Sequence, residues 1–200
     1  VIGAGLGSGL ELILPGGLWT NVPVAEPFAK TSPYVLNRRD GSYVICREPD
    51  VEPVAAVTLS PRPDWYDRTT STGKPMTRIG TLQGTYLGVY QAKVCEYWTE
   101  DVKVNCKFCS VGLNLGIDDA TEKSLDEVME VVWAARRESG ITYVDFNTGH
   151  YTGETYLDIL EPFVRRIKRE VGLLVGIQTP PHRDLERYDA LRAMGLNRVS

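Results

Sequence analysis

Four cysteines stand at positions 46, 95, 106 and 109 of this 200-residue sequence. Three of them fall in one stretch, Cys95-E-Y-W-T-E-D-V-K-V-N-Cys106-K-F-Cys109. Thiolates are soft ligands, suited to iron–sulfur clusters and to zinc. A four-iron cubane gripped by three thiolates keeps one iron without a protein ligand, and that iron can take a small chelating molecule. Cys106 and Cys109 alone form the C-x2-C half of a zinc site, which Cys46, Cys95, His150 or His182 could complete. A structural zinc site ordinarily shows a second close ligand pair, and none is present here. The third reading is ordinary thiols. Cys46 closes the apolar run Tyr43–Cys46, which makes it an expected buried thiol.

The elements that must position these groups follow from periodicity. A composition of 42% hydrophobic and 24% charged residues is that of a globular chain with enough apolar material for a core. From Tyr86 onward the pattern becomes regular. Tyr86–Cys95 reads as a strand. Ser124 and Glu127 form a capping box for a helix with Leu125, Val128, Met129 and Val132 on one face, ended by Gly140. Ile141–Phe146 reads as a strand. A helix then spans roughly 154–170 with Leu157, Leu160, Val164 and Ile167 aligned, and Pro162 is expected to kink or restart it. Leu173–Gln178 is an apolar strand. Asp184 is placed to cap a helix carrying Leu185, Tyr188 and Leu191, which Gly195 ends, and Leu196–Ser200 opens a further strand.

Strands alternating with helices predict βαβ units and a parallel sheet. The expected fold class is therefore α/β, as the first part of a (β/α) barrel over residues 85–200 or an open relative of one. In such folds the chemistry gathers at the carboxyl ends of the strands. That puts the loops after Val94, Phe146 and Gln178 on one rim. Residues 1–84 are expected to form a small β-rich N-terminal extension. Tyr43–Cys46 and Val54–Leu59 read as its short strands, and Pro61, Pro63, Gly73 and Pro75 break the segment that follows. Its glycine-rich opening, V-I-G-A-G-L-G-S-G-L-E-L-I-L-P-G-G, invites a dinucleotide-loop reading. Ser8 stands where the third glycine belongs and no long strand precedes, so a structural loop or strand edge is expected.

The net charge of −4, from 22 basic and 26 acidic residues, gives no general affinity for nucleic acid or an anionic membrane. No apolar run reaches the length of a membrane span and no basic-then-apolar leader opens the chain, so a cytoplasmic location is expected. In a reducing compartment the cysteines are metal ligands or thiols rather than disulfides. The chain opens at Val1 and stops at Ser200 inside a strand-like run. A piece of a longer protein, truncated at the C-terminus, is expected.

The segment Cys106-Lys107-Phe108-Cys109 at the end of the first regular strand resembles the C-x-aromatic-C of the radical S-adenosylmethionine (SAM) superfamily, and the resemblance covers roughly residues 86–200. The superfamily usually spaces its first two cysteines more closely. Here ten residues separate Cys95 from Cys106, a departure that bears on Cys95. After the second strand, superfamily members usually carry a Gly-Gly-Glu-like segment that meets the SAM amino group. Here Thr152-Gly153-Glu154 occupies that place, with threonine for the first glycine. Glycine allows close backbone approach and Glu154 suits an ammonium. More narrowly, G-L-W-T-N-V-P-V-A-E-P-F from Gly17, C-K-F-C-S-V-G-L-N-L-G and F-N-T-G-H-Y-T-G-E look like the radical SAM proteins encoded in bacterial nitrilase gene clusters.

The resemblance implies a barrel enzyme in which Cys95, Cys106 and Cys109 hold a 4Fe–4S cluster. SAM would be cleaved reductively to a 5′-deoxyadenosyl radical, which takes hydrogen from a small-molecule substrate in nitrile or nitrogen metabolism. It implies a reductant such as flavodoxin or ferredoxin. Phe108, Asn147, Thr152, Gly153, Glu154 and Gln178 are the cofactor-binding candidates. His150, on the loop after the second strand, is an acid–base or substrate-contact candidate. His182 is expected to be a loop residue. Tyr97 and Trp98 either shield the cluster or simply pack. Arg165-Arg166-Ile167-Lys168-Arg169 reads as a solvated helix face. A non-enzymatic zinc- or cluster-binding module is the alternative to the enzyme.

Overall fold

The computed structural model describes residues 9–24, 27–91, 93–99, 104–107 and 109–200. Gly3, Gly5 and Ser8 of the glycine-rich opening, and the cofactor-binding candidate Phe108, lie outside the described residues. The described chain divides into two compact units, 9–62 and 63–200.

The first unit is a five-stranded antiparallel sheet of β1 (Gly9–Leu14), β2 (Leu18–Pro23), β3 (Tyr34–Arg39), β4 (Ser42–Arg47) and β5 (Glu52–Leu59), in the order β2-β1-β5-β4-β3. Its hairpins have turn chemistry to match. Pro15 with Gly16 and Gly17, both at φ above +80° or equal to it, reverses β1 into β2. Asp40 and Gly41, both with positive φ, form the two-residue turn between β3 and β4. Leu12, Cys46 and Val57 are its buried apolar side chains, so Cys46 is a buried free thiol.

The second unit holds β6 (Thr81–Gln83), β7 (Tyr86–Tyr90), α1 (Glu96–Thr99), α2 (Val111–Asn114), α3 (Leu125–Ser139), β8 (Tyr143–Asn147), α4 (Tyr156–Glu170), β9 (Leu174–Gln178), α5 (Glu186–Ala193) and β10 (Arg198–Val199). Its sheet runs β10-β9-β8-β7-β6. β7 to β10 pair in parallel, and β6 adds antiparallel to β7.

This corrects the expected partial (β/α) barrel. Among the described residues the chain is a two-sheet α+β fold with five α-helices. One sheet is wholly antiparallel, and the other is open, with edges at β6 and β10 and an antiparallel hairpin on one side. Alternating periodicity specifies parallel neighbours, but closure depends on strand number and shear, which periodicity does not carry. Residues 63–84, read above with the N-terminal segment, pack in the second unit. Trp65, Tyr66, Met76 and Ile79 belong to its core, and Trp65 Nε1 donates to Ser139 Oγ at 3.1 Å.

That core lies on one face of the sheet. Leu87, Val89, Val144, Phe146, Val175 and Ile177 are fully buried against α3 and α4, each burial contributing about 1.5–3 kcal/mol. Leu157, Leu160, Val164 and Ile167 align on α4 as the periodicity required. The helix passes through Pro162 without a break, because Pro162 and Asp158 lie on its exposed face and the missing hydrogen bond falls on the solvent side. α5 starts at Glu186, whose amide donates to Asp184 Oδ1 at 3.0 Å. Leu191 is buried, but Leu185 precedes the helix and is exposed. Among the described residues, no helix is long and apolar enough to cross a membrane.

The capping box of α3 forms as expected. Ser124 Oγ accepts from Glu127 N at 3.2 Å, and Glu127 Oε2 accepts from Ser124 N at 2.7 Å. Thr72 and Lys74 also donate to this carboxylate, which is 2% exposed. Burial alone would raise the Glu127 carboxyl. The hydrogen bonds from Thr72, Ser124 and Lys74 outweigh it and hold the pKa at about 2. A depressed carboxylate contributes stability above its unfolded value of about 4.3, and that contribution is lost as pH falls through the folded value. Glu127→Gln should therefore destabilise the chain by about 1–3 kcal/mol at pH 7. In urea unfolding, the gap between variant and parent should shrink as pH falls from about 5 toward 2.

Candidate active site at the strand ends

The carboxyl ends of β7, β8 and β9 lead into the loops that carry the sequence candidates. A cavity of about 470 Å³ opens there, within the range of about 300–1,000 Å³ common for small-molecule sites. Cys95, Cys106 and Cys109 all line it, together with Asn147, His150 and Gln178. The thiols differ in setting: Cys95 is buried, Cys109 half-buried and Cys106 exposed. Cys109 N donates to the Cys106 carbonyl at 3.0 Å, closing the C-x2-C turn.

Cys95 is fixed by the neighbouring loop. A β carbon on Gly149 would lie 2.5 Å from Cys95 Cβ and 2.7 Å from its Cα, so only glycine allows this approach. The His150 amide donates to Cys95 Sγ at 3.3 Å, and Glu96 N donates to the His150 carbonyl at 3.1 Å. The Tyr97 and His150 rings stack with centroids 4.4 Å apart. Behind them, the Tyr90 and Tyr151 hydroxyls both donate to the Lys93 carbonyl and lie 3.2 Å from each other. Burial pushes both phenols above their usual range, which keeps them as donors. Trp98 packs on Gly112, where a β carbon would fall 2.4 Å from the indole, and it joins Tyr97, Leu115 and Cys109 around Tyr90, Cys95 and Val111. Tyr97 and Trp98 therefore pack close to Cys95.

The Thr152-Gly153-Glu154 segment does not line the cavity in this structure. Thr152 donates through both N, at 2.6 Å, and Oγ1, at 2.8 Å, to Glu96 Oε2. Those two bonds, side chain first, hold the Glu96 carboxyl below its ordinary range. Glu154 has a positive φ of 57° after Gly153 at 88°. Its carboxylate accepts from Arg183 N at 3.1 Å and pairs with Arg183 Nε at 3.2 Å, with His182 Nε2 at 3.6 Å. Glu154 thus ties the loop after β8 to the loop after β9. His182 is a loop residue, and its Nδ1 accepts from Asp184 N at 3.0 Å.

Sequence reasoning missed part of the cavity wall. Tyr90, Thr148, Gly149, Thr179, Pro180 and Ser200 line it. The Thr148 and Thr179 hydroxyls are buried without a hydrogen-bond partner among the described residues, a state that costs about 1–3 kcal/mol for each group. Asp145, 1% exposed, lies behind the wall and accepts from the Tyr143 hydroxyl and from Gln178 Nε2. Its register partners on either side are Gly88 and Gly176. A β carbon on Gly176 would fall 1.7 Å from the Tyr143 hydroxyl. The signal for this site was a charged residue in Y-V-D-F, with glycine centred in both flanking strands.

The donor set is three thiols around a shared space. Among the described residues, no three His, Cys, Asp or Glu side chains converge where a single metal ion could be held. A zinc site needs such convergence, with Zn–S bonds of about 2.3 Å. In a cubane each thiolate takes a different iron, and Cys95, Cys106 and Cys109 would be the residues to hold one, since all three line the cavity.

The clamp between the two loops makes Cys95 less accessible than Cys106. In the reduced, metal-free chain, 4,4′-dithiodipyridine should label Cys106 first and Cys95 last among the three cavity thiols. Glu96→Gln or Thr152→Val should speed Cys95 labelling several-fold at pH 7. Glu96 is lowered, so its clamp is fully present above the ordinary carboxylate range and is lost as pH falls below it. Protection of Cys95 in the parent chain should fade in that acid window, and equal labelling rates for parent and Glu96→Gln at pH 7 would remove the clamp from the account.

Scans against protein families, curated proteins and solved structures return no match to this chain.

Proposed function

We propose that this chain is part of a radical SAM enzyme, with Cys95, Cys106 and Cys109 as the ligands of a 4Fe–4S cluster. The observation that carries the reading is that these three thiols, and no other cysteine, line one cavity at the carboxyl ends of parallel strands. When bound, such a cluster would supply the electron for reductive cleavage of SAM and so the hydrogen-abstracting chemistry of the reaction.

The protein's own contribution is positioning and exclusion of water. The His150 amide stabilises negative charge on Cys95 Sγ, and hydrogen bonds to cysteine sulfur tune cluster potentials. Tyr97, Trp98 and Val111 surround Cys95 with apolar surface. Asn147 and Gln178 line the cavity, and the Gln178 amide is held by Asp145. For Glu154 to meet the ammonium of SAM, its carboxylate must release the exposed Arg183 guanidinium. The reducing electron comes from a carrier of the flavodoxin or ferredoxin kind. The narrower resemblance to proteins of nitrilase gene clusters extends the proposal to nitrile or nitrogen metabolism.

The test is anaerobic reconstitution of the chain with iron and sulfide. About four irons with matching sulfide per chain are expected. After reduction with dithionite in the presence of SAM, 5′-deoxyadenosine and methionine should appear. Cys106→Ala and Cys109→Ala should each lose most of the iron while retaining the parent's circular dichroism. One zinc per chain, or full iron loading in both variants, overturns the ligand assignment. Loaded protein that never releases 5′-deoxyadenosine overturns the reaction.

A further inference from the structure

Part of the cavity lining is polar. Along the ends of β8, β9 and β10 the cavity is lined by Asn147, Thr148, Gln178, Thr179 and Ser200. The backbone ladder continues through them, from Thr148 N to the Gln178 carbonyl at 3.1 Å and from Thr179 N to the Ser200 carbonyl at 3.0 Å. Two hydroxyls of these residues, those of Thr148 and Thr179, are buried with no partner among the described residues, and Thr148 is only 8% exposed. Buried hydroxyls of native proteins are almost always hydrogen-bonded, so an orphaned pair on two residues that line one cavity points to a ligand that supplies the partner as the side chains turn toward it.

Gln178 is oriented from behind. Asp145 takes one hydrogen bond from the Tyr143 hydroxyl and one from Gln178 Nε2. A carboxylate only accepts, so the NH2 end of the Gln178 amide must face it, which leaves Oε1 as the acceptor for the cavity. Among the described residues, no lysine or arginine lines the cavity. An anion there would be buried without a counter-charge. The His150 ring, stacked on Tyr97, and Pro180 and Pro181 add ring surface to the same lining.

We propose that this cavity takes a neutral carboxamide carried on a planar body. The amide N–H donates to Gln178 Oε1, the amide carbonyl accepts from the Thr148 or Thr179 hydroxyl, and the planar part lies along the Tyr97–His150 stack. Asp145 is a positioning residue that fixes which end of the Gln178 side chain meets the ligand. The inference rests on reading this cavity as the reaction chamber, and it names the class of molecule that chamber accepts.

Benzamide is the probe, titrated into the full chain before cluster loading and followed by ligand-observed NMR and calorimetry. Benzoate and N,N-dimethylbenzamide are the controls, one adding a charge and one removing the N–H donors. Benzamide should bind saturably and at least about tenfold tighter than either control, because a site built to pair a polar group rejects the analogue that lacks it. Gln178→Met should weaken benzamide at least about tenfold, and Thr148→Val, which keeps the side-chain shape, serves as a second variant with loss in the same direction. Asp145→Asn lets the Gln178 amide turn over. It should narrow the preference for benzamide over N,N-dimethylbenzamide while leaving the affinity for N,N-dimethylbenzamide in place, a change that general loosening of the fold would not produce.

Absence of saturable benzamide binding, benzoate binding as tight as benzamide, or unchanged affinity in both Gln178→Met and Thr148→Val overturns the inference. Iron loading is measured on the same preparation. Intact carboxamide binding without cluster assembly sinks the proposed reaction alone, and cluster assembly without carboxamide binding sinks the inference alone.

Discussion

Residue 149 has no side chain, and the placement of Cys95 depends on that. A single β carbon there would overlap Cys95 Cβ and Cα. With glycine, the backbone after β8 presses directly on the backbone after β7. The His150 amide then reaches Cys95 Sγ, Tyr97 lies flat on the His150 ring, and Glu96 reaches Thr152. Each of these hydrogen bonds is worth about 0.5–1.5 kcal/mol net. The apolar cluster of Tyr97, Trp98, Val111 and Leu115 packs on the same thiol, so these contacts and the hydrogen bonds between the two loops together set where it stands.

The start of the first of these loops is anchored by a buried ion pair. Lys123 Nζ lies 2.8 Å from Asp119 Oδ1, with both side chains no more than 2% exposed, and it also donates to the Tyr90 carbonyl at the end of β7. Burial raises the Asp119 carboxyl and lowers the Lys123 ammonium, and their mutual attraction opposes both shifts. Losing one partner of such a pair costs about 3–5 kcal/mol, because the other charge is left buried alone. A hydrophobic pair of similar volume would be tolerated energetically, yet it could not hold the Tyr90 carbonyl. The ion pair is best understood as fixing the direction in which the chain leaves the strand toward Cys95.

Much of the second unit could be read from the residues in order. The Ser124–Glu127 box, the Leu157-Leu160-Val164-Ile167 stripe and the strands around Val144 and Val175 all follow from local patterns that tertiary contacts reinforce. Whether the sheet closes was not legible, since nothing in a strand–helix alternation says whether its edges meet. Nor was β3. Its turn, Asp40-Gly41, is a strong hairpin signal, but Tyr34–Arg39 ends in a run of polar residues and carries little alternation. The site was half legible. Cysteine spacing and strand ends brought Cys95, Cys106, Cys109, Asn147, His150 and Gln178 to one cavity. Thr152 and Glu154 went elsewhere, because Glu96 and Arg183 compete for them and such partners lie far off in sequence.

The core and the cavity are two consequences of one register. Along β8, Val144 and Phe146 turn to the helices, and Tyr143 and Asp145 turn to the other face. The same alternation puts Val89 and Gly88 on opposite faces of β7, and Ile177 and Gly176 on opposite faces of β9. A slip of one residue would exchange the faces, putting Asp145 among the leucines and valines and Phe146 on the polar face beside Gly88 and Gly176. The cost of that slip is the cost of stranding a carboxyl in an apolar core, which far exceeds any single side-chain contact. The hydrophobic pattern that folds the sheet therefore also fixes the position of Asp145. Flanked by Gly88 and Gly176 and paired with Tyr143 and Gln178, that carboxyl has the room and the partners it needs on one face only. Stability and the orientation of Gln178 cannot be varied independently in this sheet, because both are read from the same alternate residues.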